Sequence, residues 1–325
     1  MTLTPENGFY TFYARVCTKL MNTSRQGVYL VLLAATLWGS SGVSAQYLFR
    51  SYPLTPGAVT MIRLLLSGLI LTLLGRLQGG QPGKMFRERA TVIRLIIFSL
   101  FGTLMIQLSF LITIEKTNAA TATVLQFLAP VVLVLYTVIV RRKLPGVMIC
   151  IAVMTSLAGT LLMATKGHLT SLQLSVSGLM WGLISACAAA FNAGYSSGLI
   201  RRFGTLSVTG VSMLIAGAVL VPFYLPGLDL HMLGLSGGLA LGYLILIGTA
   251  LTFSLFLKGA YLTGSQNASI LSCAEPLSSA FLSVILLGVP FGFPEWTGSL
   301  LILFSVVLIT LAPDRNRSAR RLTEL

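Results

Sequence analysis

Ten apolar stretches, each close to the length one helix needs to cross a bilayer, dominate this chain and leave few options for its fold. A helix rises 1.5 Å per residue, so about 20 residues cover a hydrocarbon core of about 30 Å. Turn residues and basic clusters punctuate the sequence at about that interval. They leave apolar runs at 27–49, 56–77, 91–114, 118–140, 145–164, 174–200, 206–225, 236–260, 266–288 and 294–312. Short alternating strands are not evident, which argues against a β-barrel, the other way a chain can satisfy its backbone in lipid. Only 9% of residues are charged and the mean hydropathy is +0.88, whereas a soluble chain carries about 25% charged residues. The expectation is an all-α membrane protein of about ten transmembrane helices.

A formal net charge of +14 raises the question of nucleic acid, but the basic residues form no continuous face. They sit in short groups between apolar runs: Arg87 and Arg89, Arg141 to Lys143, Arg201 and Arg202, and Arg315 to Arg321. Such groups are topological signals facing anionic lipid, so a nucleic-acid partner is not expected. Placing both termini inside puts seventeen Lys and Arg in inner segments and only Arg50, Lys116 and Lys166 in outer ones, with Arg63 and Lys258 within spans. Both termini are therefore expected to be cytoplasmic, in a multi-pass protein of the cell (inner) membrane. Residues 1–26 read as a cytoplasmic lead-in without a cleavable signal peptide, and either Met1 or Met21 serves as a start. Residues 313–325 read as a basic cytoplasmic tail. The four cysteines, Cys17, Cys150, Cys187 and Cys273, show no CxxC or His/Cys spacing, so neither a disulfide framework nor a metal site is indicated. No cofactor is implied.

The chain also repeats itself. Thr117 to Pro130, TNAATATVLQFLAP, aligns with Thr263 to Pro276, TGSQNASILSCAEP, at an offset of 146. Leu37-Trp38-Gly39 parallels Met180-Trp181-Gly182, and Gly159 to Leu162 parallels Gly298 to Leu301. The division that follows is a first five-helix repeat at 27–164, an extracytoplasmic hinge at 165–173 and a second repeat at 174–312. Five spans is an odd number, so the second copy crosses in the opposite sense: a 5+5 inverted repeat. Two inverted halves can open a shared cavity to each side in turn, which points to a carrier.

Within that cavity the informative residues are polar, bent or ionisable. Pro130 and Pro276 fall at equivalent positions and deprive the carbonyls of Gln126 and Ser272 of their usual helical partner, predicting bends in spans four and nine. Glu275 lies about 13 Å into span nine and Arg63 roughly 10 Å into span two, at 1.5 Å per residue. An intramembrane carboxylate costs at least a few kcal/mol unless it is protonated, hydrated or paired. Glu275 is thus a proton-coupling group, a ligand for a cationic substrate group, or a partner of Arg63. Gln46, Gln107, Gln126, Asn192 and Tyr195 could bind solute or hold helices together. Trp38 and Trp181 sit inside spans and could wall the cavity. Trp296 suits the interface, and Lys258 can snorkel from the inner end of span eight.

These motifs resemble a known family. Leu37 to Ser41, Arg63, Asn118 to Pro130 and Ala268 to Pro276 resemble the EamA family of the drug/metabolite transporter superfamily, bacterial inner-membrane members above all, over about residues 27–312. The resemblance implies a ten-helix carrier whose central cavity is lined mainly by spans one, three, four, six, eight and nine. It implies export of amino acids or other small metabolites, and it carries over to Trp38, Gln126, Pro130, Trp181, Glu275 and Pro276. Span four has Ala129 where span nine has Glu275, so the cavity is chemically asymmetric.

Other functions fit less well. An intramembrane enzyme would need a nucleophile and base, or paired acids, at depth. His168 and His231 fall in outer loops and only one acid is deep. A channel or facilitator would need a charge ring or carbonyl filter. A drug efflux carrier differs from a metabolite carrier only in its solute. The expected partners are a small-molecule substrate, membrane lipids and coupling protons, and the protein is expected to act as a monomer or homodimer.

Overall fold

The computed structural model describes residues 6–141, 146–166 and 174–311. The basic tail 313–325, Arg142, Lys143, His168 and most of the expected hinge lie outside the described residues. Within them there is no strand, and ten helices are long and apolar enough to cross a membrane: Arg25–Ser51, Pro56–Leu77, Arg89–Lys116, Ala119–Val140, Val147–Thr165, Val176–Tyr195, Thr205–Tyr224, His231–Thr263, Asn267–Leu287 and Phe293–Leu311. They are numbered spans one to ten. Span six ends at Tyr195 rather than 200, because a separate short helix, Ser197–Phe203, follows it. Span eight is longer at both ends than its apolar run, since a 3₁₀ turn from His231 leads into it.

Local chemistry sets the ends. Thr55 caps span two, accepting from the Ala58 N–H at 3.3 Å, with Pro56 at the first helical position. Asn118 caps span four through the Thr121 N–H, and Ser175 caps span six through the Gly178 N–H. Gly204 and Gly264 begin spans seven and nine with φ of +82° and +85°, a backbone that favours glycine.

Spans two and seven, and spans five and ten, pack antiparallel. Along the pair formed by spans two and seven, Gly57 faces Tyr224, Leu65 faces Gly217, Gly68 faces Leu214 and Gly75 faces Ser207. A Cβ on Gly68 would lie 2.9 Å from the Leu214 backbone nitrogen, so the helices approach to backbone contact. Spans five and ten cross at Gly159 and Gly298, each glycine lying against the other's carbonyl oxygen. Those two are matched by the sequence repeat, so residues at corresponding places in the two halves meet each other. Lys166 and Glu295 close one end of this pair at 3.6 Å.

Four interruptions of the helical ladder follow the same repeat. Span three contains a π-helical segment at Phe98–Leu104 and span eight another at Tyr243–Leu251. Span four is split into Ala119–Gln126 and Ala129–Arg141, and the span-nine region into Ser265–Leu271 and Ala274–Leu287. Corresponding boundaries differ by 145 to 147 residues. The prolines act otherwise than as kinks in a continuous helix. Pro130 stands second and Pro276 third in a new half-helix, within the first turn, where N–H groups have no intrahelical partner and a missing one costs nothing. The Ser272 carbonyl, expected to lack a partner, accepts the Glu275 N–H at 2.9 Å.

Candidate functional site: a polar centre at the helix breaks

The span-nine break is held against span one by a glycine. A Cβ on Gly39 would lie 2.6 Å from the Glu275 carbonyl oxygen and 2.8 Å from the Ser279 nitrogen, so the two backbones touch there. Gly42, three residues on, faces Ala119 and Ser279 at ordinary distances. Thr123 reaches across from span four to the Ser279 hydroxyl at 3.3 Å. Spans one, four and nine are thereby drawn together around the two breaks.

Glu275 stands in the first turn of the half-helix Ala274–Leu287. Backbone N–H groups at that end favour a negative charge. The residue is half-buried, and its carboxylate makes no hydrogen bond or ion pair among the described residues. It interacts through space with Arg63, without the direct contact that pairing, one of the three readings of this residue, would make. Arg63, 5% exposed, instead donates from Nε to the Thr249 hydroxyl at 2.8 Å. Thr249 in turn donates to the Leu244 carbonyl inside the π-helical segment of span eight. A short polar chain therefore runs from span two into span eight, leaving the carboxylate unpartnered nearby.

The counterpart of this chain in the other half is neutral. Thr103, in the π-helical segment of span three, donates to Ser212 of span seven at 3.0 Å. Thr103 and Thr249 are 146 residues apart, and each follows a glycine, Gly102 and Gly248. This repeated Gly-Thr pair marks the π-helical segments in the sequence, outside the motifs that flag spans four and nine. Arg63 and Glu275 thus both have uncharged counterparts, Ser212 and Ala129.

The remaining candidates divide into groups. Trp38 is half-buried against Phe253 and Phe256 of span eight, with ring centroids 5.2 and 5.0 Å away. Two residues on, Ser40 shares a 2.6 Å hydrogen bond with the Tyr243 hydroxyl. Gln126 donates to Ser185 of span six at 2.7 Å. Asn192 lies beside Gly102. Tyr195 stacks on Phe191 at 4.9 Å and packs with Met85, Leu95 and Phe98, away from the breaks. Gln46 is buried, and its Oε1 accepts the Ala119 N–H at 2.9 Å, so it caps the first half of span four. Its amide nitrogen is buried without a partner. Ser272 donates to the Ser269 carbonyl at 2.7 Å, while Gln107 and Trp181 are half-buried in their spans. Among the described residues no group of three or more His, Cys, Asp or Glu converges to hold a metal.

A second polar region lies at the basic end. A cavity of about 990 Å³ opens between the ends of spans two, seven and eight, lined by Lys84, Arg87, Glu88, Arg202 and Lys258 among others. Arg202 clamps both oxygens of Glu88, and the Thr91 hydroxyl donates to the same carboxylate at 3.0 Å. Those hydrogen bonds, Arg202's foremost, hold the Glu88 carboxyl down at about 2. Lys258, expected to snorkel, lines this cavity.

Comparison with known proteins agrees with the architecture. The model of the EamA-like transporter family matches twice, at residues 25–165 and 176–311. The inner membrane transporter YicL of Salmonella typhimurium is 51% identical over 302 residues, covering 92% of this chain and 99% of that one. The transporter YwfM of Bacillus subtilis is 25% identical over 89% of this chain and 95% of its own. A crystal structure 17% identical superposes with a TM-score of 0.59 over 89% of this chain and 98% of that one, which supports the fold. This chain is an inner-membrane, multi-pass protein that belongs to the EamA-like transporter family.

Proposed function

We propose that the protein is a secondary carrier that exports a small zwitterionic metabolite, an amino acid or a close relative, by alternating access. On this reading residues 27–164 and 174–312 are two inverted repeats, and both termini face the cytoplasm. The observation that carries the proposal is the unpartnered Glu275 carboxylate at a half-helix N-terminus, set near a buried guanidinium at the meeting point of two helix breaks. The opposite charges suit a solute that bears an amine and a carboxylate: the amine toward Glu275, the carboxylate toward Arg63. Trp38, Gln126 and Ser272 complete the polar and aromatic surround. Helix breaks at equivalent places in each half allow the half-helices to tilt around a fixed site.

Glu275 also serves as the coupling group, exchanging a proton for the solute amine. The test is counterflow in proteoliposomes loaded with a mixed amino-acid pool, with and without a pH gradient. Removal of one charge-assisted contact, worth about 1.5–3 kcal/mol, weakens binding by about 10- to 150-fold. Glu275→Gln should therefore abolish measurable counterflow while leaving the protein folded. Wild-type counterflow that survives unchanged in Glu275→Gln would refute the assignment. Unitary currents in a planar bilayer would replace the carrier by a channel.

A further inference from the structure

The cavity at the basic end takes no part in the transport reading, and its chemistry is not that of the centre. It is lined by four cations, Lys84, Arg87, Arg202 and Lys258, and one acid, Glu88. Glu88 is fully occupied by Arg202 and Thr91. Lys84, Arg87 and Lys258 form no ion pair among the described residues, so three positive charges face the space unopposed. The first residues of span seven, Thr205 to Ser207, also line it. That span starts at Gly204 with no side-chain cap and no acid in its first turn. Its free N–H groups therefore add partial positive charge. Gln78, Gln81 and Ser254 supply neutral donors.

Large apolar side chains stand in the lining or next to it in the chain: Tyr261 lines the cavity, Leu77 precedes Gln78 and Phe86 precedes Arg87. Tyr261 is 88% exposed, Leu77 83% and Phe86 54%. A free anion would have no use for them, whereas acyl chains would lie along them. We propose that this cavity binds the phosphate headgroup of an anionic phospholipid of the cytoplasmic leaflet, gripped by Lys84, Arg87 and Lys258 with its tails against Leu77, Phe86 and Tyr261. The site ties the loop between spans two and three to the ends of spans seven and eight, and the lipid acts there as a bridging ligand. Basic pockets between spans on the cytoplasmic side are suited to such headgroups.

The test is native mass spectrometry of the purified full-length protein titrated with phosphatidylglycerol or phosphatidylcholine. Wild type should retain one phosphatidylglycerol in preference to phosphatidylcholine. Lys84→Gln, Arg87→Gln and Lys258→Gln should each weaken that retention about fivefold, the worth of one basic residue near an anionic surface. Arg94→Gln removes a charge from an exposed position near the same end that does not line the cavity, and should change nothing. Millimolar inorganic phosphate should not displace the lipid. Equal retention of the two lipids by wild type, or no effect of the three single variants, would overturn the proposal. Displacement by inorganic phosphate would overturn the lipid as the source and assign the cavity to a free anion. Each variant is checked for an unchanged gel-filtration profile, so that a loss of lipid is not a loss of fold.

Discussion

Gly39 offers the sharpest mechanical test of how the central site is built. A methyl group there would lie 2.3 Å from the Ser278 hydroxyl, 2.6 Å from the Glu275 carbonyl oxygen and 2.8 Å from the Ser279 nitrogen. Ser278 can rotate away, but the two backbone atoms cannot. Ordinary contact begins near 3.4 Å, so span one and the half-helix of Glu275 must part by about 0.6–0.8 Å. Overpacking of this kind costs ~1–3 kcal/mol, offset by up to ~1 kcal/mol because alanine is the better helix former. Gly42→Ala is the internal control, since its methyl would meet nothing closer than 3.5 Å and would gain the propensity alone. The two variants should thus differ by about 1–3 kcal/mol, with Gly39→Ala the less stable. Thermal unfolding in detergent, followed by tryptophan fluorescence, reads the difference, and counterflow reads the displacement of Glu275. Equal stability of the two variants would refute the close approach of span one to the span-nine break.

Other consequences follow from the same geometry. Thr249→Val removes a hydrogen bond to a charged donor, worth about 1.5–3 kcal/mol, while Thr103→Val removes a neutral one, worth about 0.5–1.5 kcal/mol. The first should lower the unfolding midpoint more, and the reverse order would undo the assigned asymmetry. Gly159→Ala and Gly298→Ala act on one crossing, so the double variant should cost less than the two singles added together, as measured in a double-mutant cycle. The Glu88 carboxyl, depressed from 4.5 to about 2, contributes stability that is fully present above its ordinary value and lost as pH falls through the lowered one. Amide protection over residues 84–92, corrected for intrinsic exchange, should therefore match at pH 7 and pH 6, decline below pH 4.5 and fade toward pH 2. Glu88→Gln should lack that protection at every pH.

Much of the fold is legible in the sequence because lipid imposes simple demands. A helix end in a bilayer needs turn residues and charge, so Pro56, Gly204 and the basic clusters mark ends that the structure places within a few residues, except where span six gives way to a second helix. The repeat was readable because Pro130 and Pro276 punctuate equivalent spans. The π-helical segments are harder to read. Their extra residue is accommodated by partners far away in sequence, such as Arg63 at Thr249 and Ser44 at the Ala240 carbonyl, and only the small Gly-Thr repeat marks them. Gln46 shows the same limit from the other side: a polar residue in span one caps span four, and nothing near it in the sequence names that partner. Arg63 and Glu275 stood out as charges at depth, but their separation depends on which hydroxyl captures the guanidinium.

Alternating exposure of the centre is tested most directly by thiol chemistry at Ser272. A single cysteine is placed there after Cys17, Cys150, Cys187 and Cys273 are replaced, and a membrane-impermeant thiol reagent is added to either face of oriented vesicles. Labelling is expected from both faces, with transported solute slowing both reactions. Labelling from one face alone, or from neither, would contradict a pocket that opens to each side in turn.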